Sequence, residues 1–159
     1  MGEQFQKLAE HLADIRNIQL AAGVLGWDQQ VNMPAAGAEA RAAQLATLAR
    51  IGHEQFTSDE TARLLEDAAA ELADAPYDSD EASTVRVARL DYADATKLPA
   101  VFVAEVSRVT SMAHEVWAKA RATNDFAAFQ PTLEKIVELM ARTAEYLGYK
   151  DHPYDALLD

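Results

Sequence analysis

The chain has 159 residues, of which 50% are apolar, so it can bury a hydrophobic core and global disorder is not expected. Its formal net charge of −12 argues against nucleic-acid binding through phosphate neutralisation, and the absence of cysteine excludes disulfides and thiolate metal sites. No apolar run approaches the about 18 residues that a membrane helix needs, and the first residues lack the apolar block of a signal peptide. The composition therefore predicts a soluble, acidic protein and fits a cytoplasmic location.

The first two helices are predicted from the spacing of apolar residues. A helix over about 3–26 is indicated by residues at the i, i+3 and i+4 positions of one face, namely Phe5, Leu8, Leu12 and Ile15. A proline and a glycine within 34–37 then interrupt the chain before a second helix over about 38–56. Small residues along this second helix, among them Ala42 and Gly52, would let another helix approach closely.

Two capping patterns predict the next helices. Thr57 and Glu60 have the spacing of a capping box, in which the hydroxyl and the carboxylate each accept a hydrogen bond from a backbone N–H at the helix start. Such a cap contributes about 1 kcal/mol and predicts a third helix over about 58–73. The spacing returns at 78–81 and predicts a fourth helix that ends near residue 96.

Proline and glycine positions predict the last helices. Pro99 suits a first helical position and disfavours helix in the residue before it, which predicts a fifth helix over about 99–122. Pro131 is expected to begin a sixth helix, which Gly148 would end. A short final helix could begin at Pro153. Because strand alternation is nearly absent, the predicted fold class is all-α, a multi-helix bundle of about six helices.

The sequence lacks a recognisable catalytic or metal-binding motif. A helical zinc peptidase site needs His-Glu-x-x-His, which places two imidazoles on one helix face and a carboxylate beside the metal-bound water. Two segments begin this motif, at His53 and His114, but Thr57 and Ala118 occupy the positions of the second histidine. The Glu-x-x-His pair of di-iron bundles and the Gly-x-Ser-x-Gly turn of hydrolases are absent too. We therefore predict no catalytic residue and no metal ligand in this chain.

The least generic segment is the run Leu25-Gly26-Trp27-Asp28-Gln29-Gln30-Val31-Asn32-Met33-Pro34, which sets a tryptophan beside an acid, a cluster of amides and a proline. The run resembles the amino-terminal region of the M32 metallocarboxypeptidases, the carboxypeptidase Taq family. The similarity continues through further segments, at 37–41, 44–50, 95–99, 102–103, 133–139, 145–149 and 152–159. It departs from the family's usual pattern at Ala35-Ala36, where Pro and Gly are common, and it covers only the family's amino-terminal part.

This resemblance implies that residues 1–159 form a single helical domain, the lid and groove-wall part of a larger peptidase, here as a fragment. The full-length family enzyme would remove single residues from the C-termini of peptide substrates, with a water activated by zinc or another divalent metal. The resemblance also implies a homo-oligomer, with a dimer as the expected form. Because His-Glu-x-x-His is absent, we expect this chain alone to hold no cofactor and to be inactive.

The tryptophan–acid pair has two interpretations. In the structural one, Trp27 fills the core at a helix end and Asp28 bonds nearby backbone donors or an arginine such as Arg41. In the functional one, which the family resemblance implies, the segment shapes one wall of the peptide groove. The candidate groove-wall residues are then Trp27, Asp28, Gln29, Asn32, Met33 and Arg41.

Two other functions stay open. The chain could be a free-standing, non-catalytic helical interaction module. It could also be a regulatory paralogue that keeps the lid and the dimer surface without the chemistry. If it belongs to a larger enzyme, the apolar faces that serve the rest of that enzyme should be exposed and should promote self-association.

Overall fold

The computed structural model describes residues 2–158 and contains six α-helices and no β-strand within that range. The all-α prediction is therefore confirmed. The helices are α1 (Glu3–Val31), α2 (Ala38–Phe56), α3 (Asp59–Glu71), α4 (Asp80–Ala95), α5 (Ala100–Thr123) and α6 (Phe126–Leu147). Two 3-10 turns follow α1 and α6, at Ala35–Gly37 and Pro153–Leu157. Within the described range, no helix is both long and apolar enough to cross a membrane.

The first helix is longer than predicted, because it continues through Gly26 to Val31. A glycine inside a helix costs about 0.5–1 kcal/mol relative to alanine, but it does not by itself end the helix. The helix ends where the N–H groups of Asn32 and Met33 both donate to the carbonyl of Asp28, each at 2.9 Å, just before a proline. The tryptophan–acid pair therefore lies inside the last turns of a helix rather than after its end.

The caps of α3 and α4 differ from the predicted ones. The capping box predicted at Thr57 is wrong, because the hydroxyl of Ser58 accepts the bond from the Thr61 N–H at 3.2 Å and caps α3. Thr57 instead donates its hydroxyl to a carbonyl of α2 at 2.8 Å. In the same way, Ser79 accepts from the Ala82 N–H at 3.3 Å and caps α4. In both cases a serine one residue later provides the geometry that the cap needs.

The predicted start of α6 at Pro131 is also wrong, because the helix begins at Phe126. Asn124 ends α5 in the left-handed conformation, with φ of 53°, and Asp125 then accepts a bond from the Ala128 N–H at 3.1 Å. Pro131 lies within the exposed first turns of α6. A proline at this position leaves the carbonyl of Ala127 without its N–H partner, and because Ala127 is exposed, water can take the place of that partner.

One hydrophobic cluster holds α1 against α3 and α4. Its buried members are Phe5, Leu8, Leu64, Leu65, Ala68, Val85 and Ala88. The predicted apolar face of α1 supplies Phe5 and Leu8, while Ile15 is buried further along the same face and Leu12 is partly buried. The most extensive helix pair is α2 with α5. Ala42 and Gly52 are buried on α2, as expected for small residues that allow close approach.

A carboxylate from α3 closes the start of α1. The N–H groups of Gln4 and Phe5 donate to Glu71 at 3.1 and 2.9 Å, and these bonds satisfy donors that the first helical turn leaves free. The bonds from Phe5 and Gln4 lower the pKa of the Glu71 carboxyl from its usual 4.5. A Cβ at Gly2 would lie 2.0 Å from the Glu71 carboxylate. The close approach of the two segments therefore favours a residue without a side chain at this position.

Candidate functional site

The largest concave feature near the Trp27 segment is an open cleft of about 700 Å³ between α1, α2 and α5. Small residues form part of its wall, namely Ala22, Gly26, Ala49 and Gly52. Polar side chains line the rest together with a few apolar ones, and these polar residues are Gln19, Gln29, Gln30, His53, Ser107, Thr110, Ser111 and His114. Amides, hydroxyls and imidazoles can both donate and accept hydrogen bonds, so the cleft suits a polar ligand such as a peptide backbone.

Gln29 and Ser111 join the two long helices at the base of this cleft. The Gln29 amide donates to the Ser111 carbonyl at 3.0 Å, and the Ser111 hydroxyl donates back to the Gln29 amide oxygen at 3.0 Å. The two residues are only 8% and 9% exposed. A reciprocal buried pair of this kind fixes the spacing of α1 and α5. Sequence analysis proposed Gln29 but missed Ser111, because no sequence signal connects residues 82 positions apart.

Asp28 and Arg41 fasten the end of α1 to α2. The Arg41 Nη2 lies 2.5 Å from the Asp28 Oδ2, and the Arg41 Nη1 donates to the carbonyl of Leu25. The hydrogen bond from Arg41 lowers the pKa of the Asp28 carboxyl below its usual 3.8, and a weak bond from Asn32 at 3.5 Å acts in the same direction. The arginine partner expected for Asp28 under the structural interpretation is therefore present.

Trp27 does not fill the core, so that part of the structural interpretation is wrong. Its side chain is 59% exposed and is not among the residues that line the cleft. The reason is that α1 continues past this point. Residues two apart on a helix lie about 200° apart around its axis, so burying Gln29 against α5 turns Trp27 toward the opposite side.

The remaining candidates lie in the turn after α1. Asn32 is exposed and Met33 is partly buried. A Cβ at Gly37 would lie 3.1 Å from the Met33 Cγ, so the 3-10 turn packs closely on the methionine. The structure therefore separates the six candidates. Gln29 lies at the base of the cleft, and Asp28 and Arg41 form an ion pair. Trp27 and Asn32 are exposed, and Met33 packs against the turn after α1.

The two histidines of the cleft have no arrangement typical of a metal centre. The His53 Nε2 lies 2.7 Å from the carbonyl of Leu98, which can only accept, so this nitrogen carries the proton and ties α2 to the turn before α5. The His114 ring lies 6.0 Å from the ring of Trp117. Among residues 2–158, no group of three His, Asp or Glu side chains could hold a metal ion.

Comparison with known proteins identifies the family. The family model described as carboxypeptidase Taq (M32) metallopeptidase matches residues 7–159. The chain belongs to the M32 family. It is 40% identical over 164 residues to the thermostable carboxypeptidase 1 of Pyrococcus furiosus, covering 100% of this chain and 32% of the relative. It is 32% identical to the carboxypeptidase 1 of Bacillus subtilis, covering 93% of this chain and 29% of the relative.

Solved M32 structures contain the same arrangement of helices. The crystal structure of BsuCP superposes with a TM-score of 0.92 at 29% identity, covering 99% of this chain and 31% of that chain. The structure of the Pyrococcus furiosus carboxypeptidase in its apo-Mg form gives a TM-score of 0.72 at 37% identity, covering 100% of this chain and 31% of that chain. The chain thus spans about a third of the length of the M32 relatives that it matches.

Proposed function

We propose that residues 1–159 are a single helical domain, the amino-terminal part of a metal-dependent carboxypeptidase that removes C-terminal residues from peptides. The observation that carries this proposal is the match of the M32 family model to residues 7–159. The chain covers only 32% of the Pyrococcus furiosus relative and 31% of its solved structure, which supports one part of a longer enzyme. The relatives are carboxypeptidases, so peptides are the substrate class we propose for the complete enzyme.

The role we propose for this part of the enzyme is to form one wall of the peptide groove. Gln29 and Arg41 donate hydrogen bonds to other segments of the chain, so the role we propose for them is to position the helices. Asn32 is exposed, which leaves its amide available to a peptide, whereas Trp27 lies on the side of α1 away from the cleft. Asp28 and Met33 hold the end of α1 and its turn in place.

The metal and the chemistry would come from residues outside this chain. We propose zinc or another divalent metal in the complete enzyme, which would activate a water for attack on the terminal peptide bond. The proposal that this chain alone is inactive is supported by the missing second histidine in the His53 and His114 segments. A cytoplasmic homodimer is proposed for the complete enzyme, and the lack of cysteine is compatible with a reducing compartment.

The test is to assay the purified chain with peptides and divalent metals. We expect no C-terminal trimming by mass spectrometry and no stoichiometric metal by elemental analysis. As a positive control, the matched region of the Pyrococcus furiosus thermostable carboxypeptidase 1 is replaced by this chain, and this joined protein should trim the same peptides. Trimming by the chain alone would overturn the proposed inactivity, and a folded joined protein without activity would overturn the proposed peptidase role.

A non-catalytic interaction module is the second candidate, favoured by the exposed apolar side chains on α1. The genomic reading frame separates the two. A coding sequence that continues beyond residue 159 into His-Glu-x-x-His favours the enzyme, whereas a stop codon at this point favours the module.

A further inference from the structure

The outer face of α1 carries a continuous apolar stripe that the rest of the described chain leaves exposed. Its four large side chains, which are 52–64% exposed, are Leu20, Val24, Trp27 and Val31. We call these four residues the α1 stripe. Their spacing of four, three and four residues places them on one side of the helix, in the pattern by which one helix packs against another. Other exposed apolar residues, such as Val101 and Val137, lie on other helices.

The residues around the α1 stripe are unusual for a solvent-exposed helix face. From Asn17 to Trp27 the helix carries no charged residue, although 25% of the chain is charged. Exposed helix faces are normally polar and charged. Beside the stripe, a Cβ at Gly23 would meet nothing within 4 Å, so no packing among residues 2–158 requires this glycine. A mid-helix glycine lowers helix stability, but the missing side chain would let another backbone approach α1 closely.

The size of the α1 stripe argues against a second copy of this chain as the covering partner. The twelve residues from Leu20 to Val31 extend about 18 Å along the helix, and a helix face is about 10 Å wide. The stripe thus offers at most a few hundred Å² per partner, while a stable protein–protein interface buries about 800 Å² per partner. By itself, the stripe is too small to hold two free molecules together.

In the M32 relatives, polypeptide outside the matched region belongs to the same chain, so it can cover the stripe without the association of two free molecules. The same helices occur in BsuCP as 31% of a longer chain, so about two thirds of such a molecule lies outside the matched region. We propose that the α1 stripe is the docking surface for an α-helix, apolar on its contacting face, from the polypeptide that M32 relatives carry outside the region matched here. This inference rests on the proposed function, in which the chain is one part of such an enzyme.

The geometry also specifies the docked helix. Where it faces residues 17–27, the docked helix must be uncharged, because no residue in this range offers it an ion-pair partner. Gly23 allows an interaxial distance at the short end of the usual 8–10 Å. The docked helix must also leave room for Trp27, the largest side chain of the stripe.

The experiment compares Val24→Glu in two contexts, with Val137→Glu as the matched control. Val24 and Val137 are 64% and 60% exposed and lie inside helices, so both replacements introduce the same charge at similar exposure. Each variant is made in this chain alone and in the joined protein described above. Helical content by circular dichroism checks folding, and thermal unfolding gives the midpoint.

In the chain alone, both variants should melt within about 2 °C of the parent, because both side chains remain in water. In the joined protein, Val24→Glu should lower the midpoint by about 5 °C or more, since a charge is then buried without a partner, while Val137→Glu should not. Equal effects of the two variants in the joined protein would overturn the proposal. So would a joined protein that melts in two independent steps or is recovered only as aggregate.

Two further readouts separate the alternatives. A stable dimer of the chain alone in sedimentation experiments, lost in Val24→Glu, would replace the proposed occupant by a second copy. A joined protein that is active and indifferent to Val24→Glu would overturn the docking surface and leave the proposed function intact. A joined protein that loses stability with Val24→Glu but cleaves no peptide would overturn the function and leave the docking surface intact.

Discussion

The two faces of α1 differ in a way that reverses the usual distribution of residues. On the cleft face, the polar Gln29 is buried and exchanges two hydrogen bonds with Ser111. On the outer face, Trp27 and its apolar neighbours are exposed. Buried polar groups and exposed apolar stretches are the informative exceptions in a protein, since apolar burial is the default. Under the docking proposal, α1 serves two interfaces, of which the described residues complete the one at the cleft.

The largest effect on stability is expected for Gln29→Ala. The replacement removes both hydrogen bonds of the reciprocal pair and leaves the Ser111 hydroxyl buried without its acceptor. We expect a loss of about 1–3 kcal/mol in the free energy of unfolding, measured by urea denaturation. Gln30→Ala, at an exposed neighbouring position, is the control and should have little effect. A similar loss for both variants would remove the distinction between the two faces.

The acid response of α1 provides the next prediction. The pKa values of Glu71 and Asp28 are both lowered in the folded state. Their contribution to stability is therefore fully present above their usual values of 4.5 and 3.8, and it is lost as the pH falls through the lower folded values. When the pH is lowered from about 6 to about 3, the two carboxyls become protonated, and we expect the urea midpoint to fall. Glu71→Gln should lower the midpoint at pH 6 and reduce its dependence on pH.

A more local prediction concerns the ion pair at the end of α1. In Arg41→Gln the hydrogen bond and the positive charge beside Asp28 are lost, so the pKa of the Asp28 carboxyl should rise toward its usual 3.8. An NMR titration of the side-chain carboxyl measures this change. The Glu71 carboxyl, at the other end of α1, serves as an internal reference and should titrate as before. An unchanged Asp28 titration would show that Arg41 is not its main partner in solution.

The smallest effect is expected for Trp27→Glu in the chain alone. Because the indole is exposed, the free energy of unfolding should change by no more than about 0.5 kcal/mol. The fluorescence of Trp27 should also be readily quenched by acrylamide. This quenching is measured in Trp117→Phe, which removes the second tryptophan. A large destabilisation by Trp27→Glu would mean that the outer face is covered within this chain, and the contrast between the faces would disappear.

Local patterns predicted most of the fold correctly. The bounds of α2 and the glycine end of α6 follow from signals within a few residues, and so does the apolar face of α1 around Phe5 and Leu8. The errors arose where two local signals competed. Ser58 outcompeted Thr57 as the cap of α3, and Pro131 was tolerated inside α6 because the first turns of that helix face solvent.

The candidate site was less predictable, because its geometry depends on contacts between distant segments. The Asp28–Arg41 pair was foreseeable, since the two residues flank one turn. The Gln29–Ser111 pair was not, because it depends on how α1 and α5 pack. The exposure of Trp27 follows from the same packing, which selects the side of α1 that is buried.

The sequence by itself determined the helical class, most helix boundaries and the M32 membership, because each depends on local periodicity, capping or motif similarity. Only the tertiary structure decided how the residues from Trp27 to Met33 divide between the cleft, an ion pair and an exposed stripe. The physical reason is that a helix turns by about 100° per residue. Neighbours in sequence therefore face different surroundings, and the packing of α1 against α2 and α5 selects which side becomes the wall of the cleft.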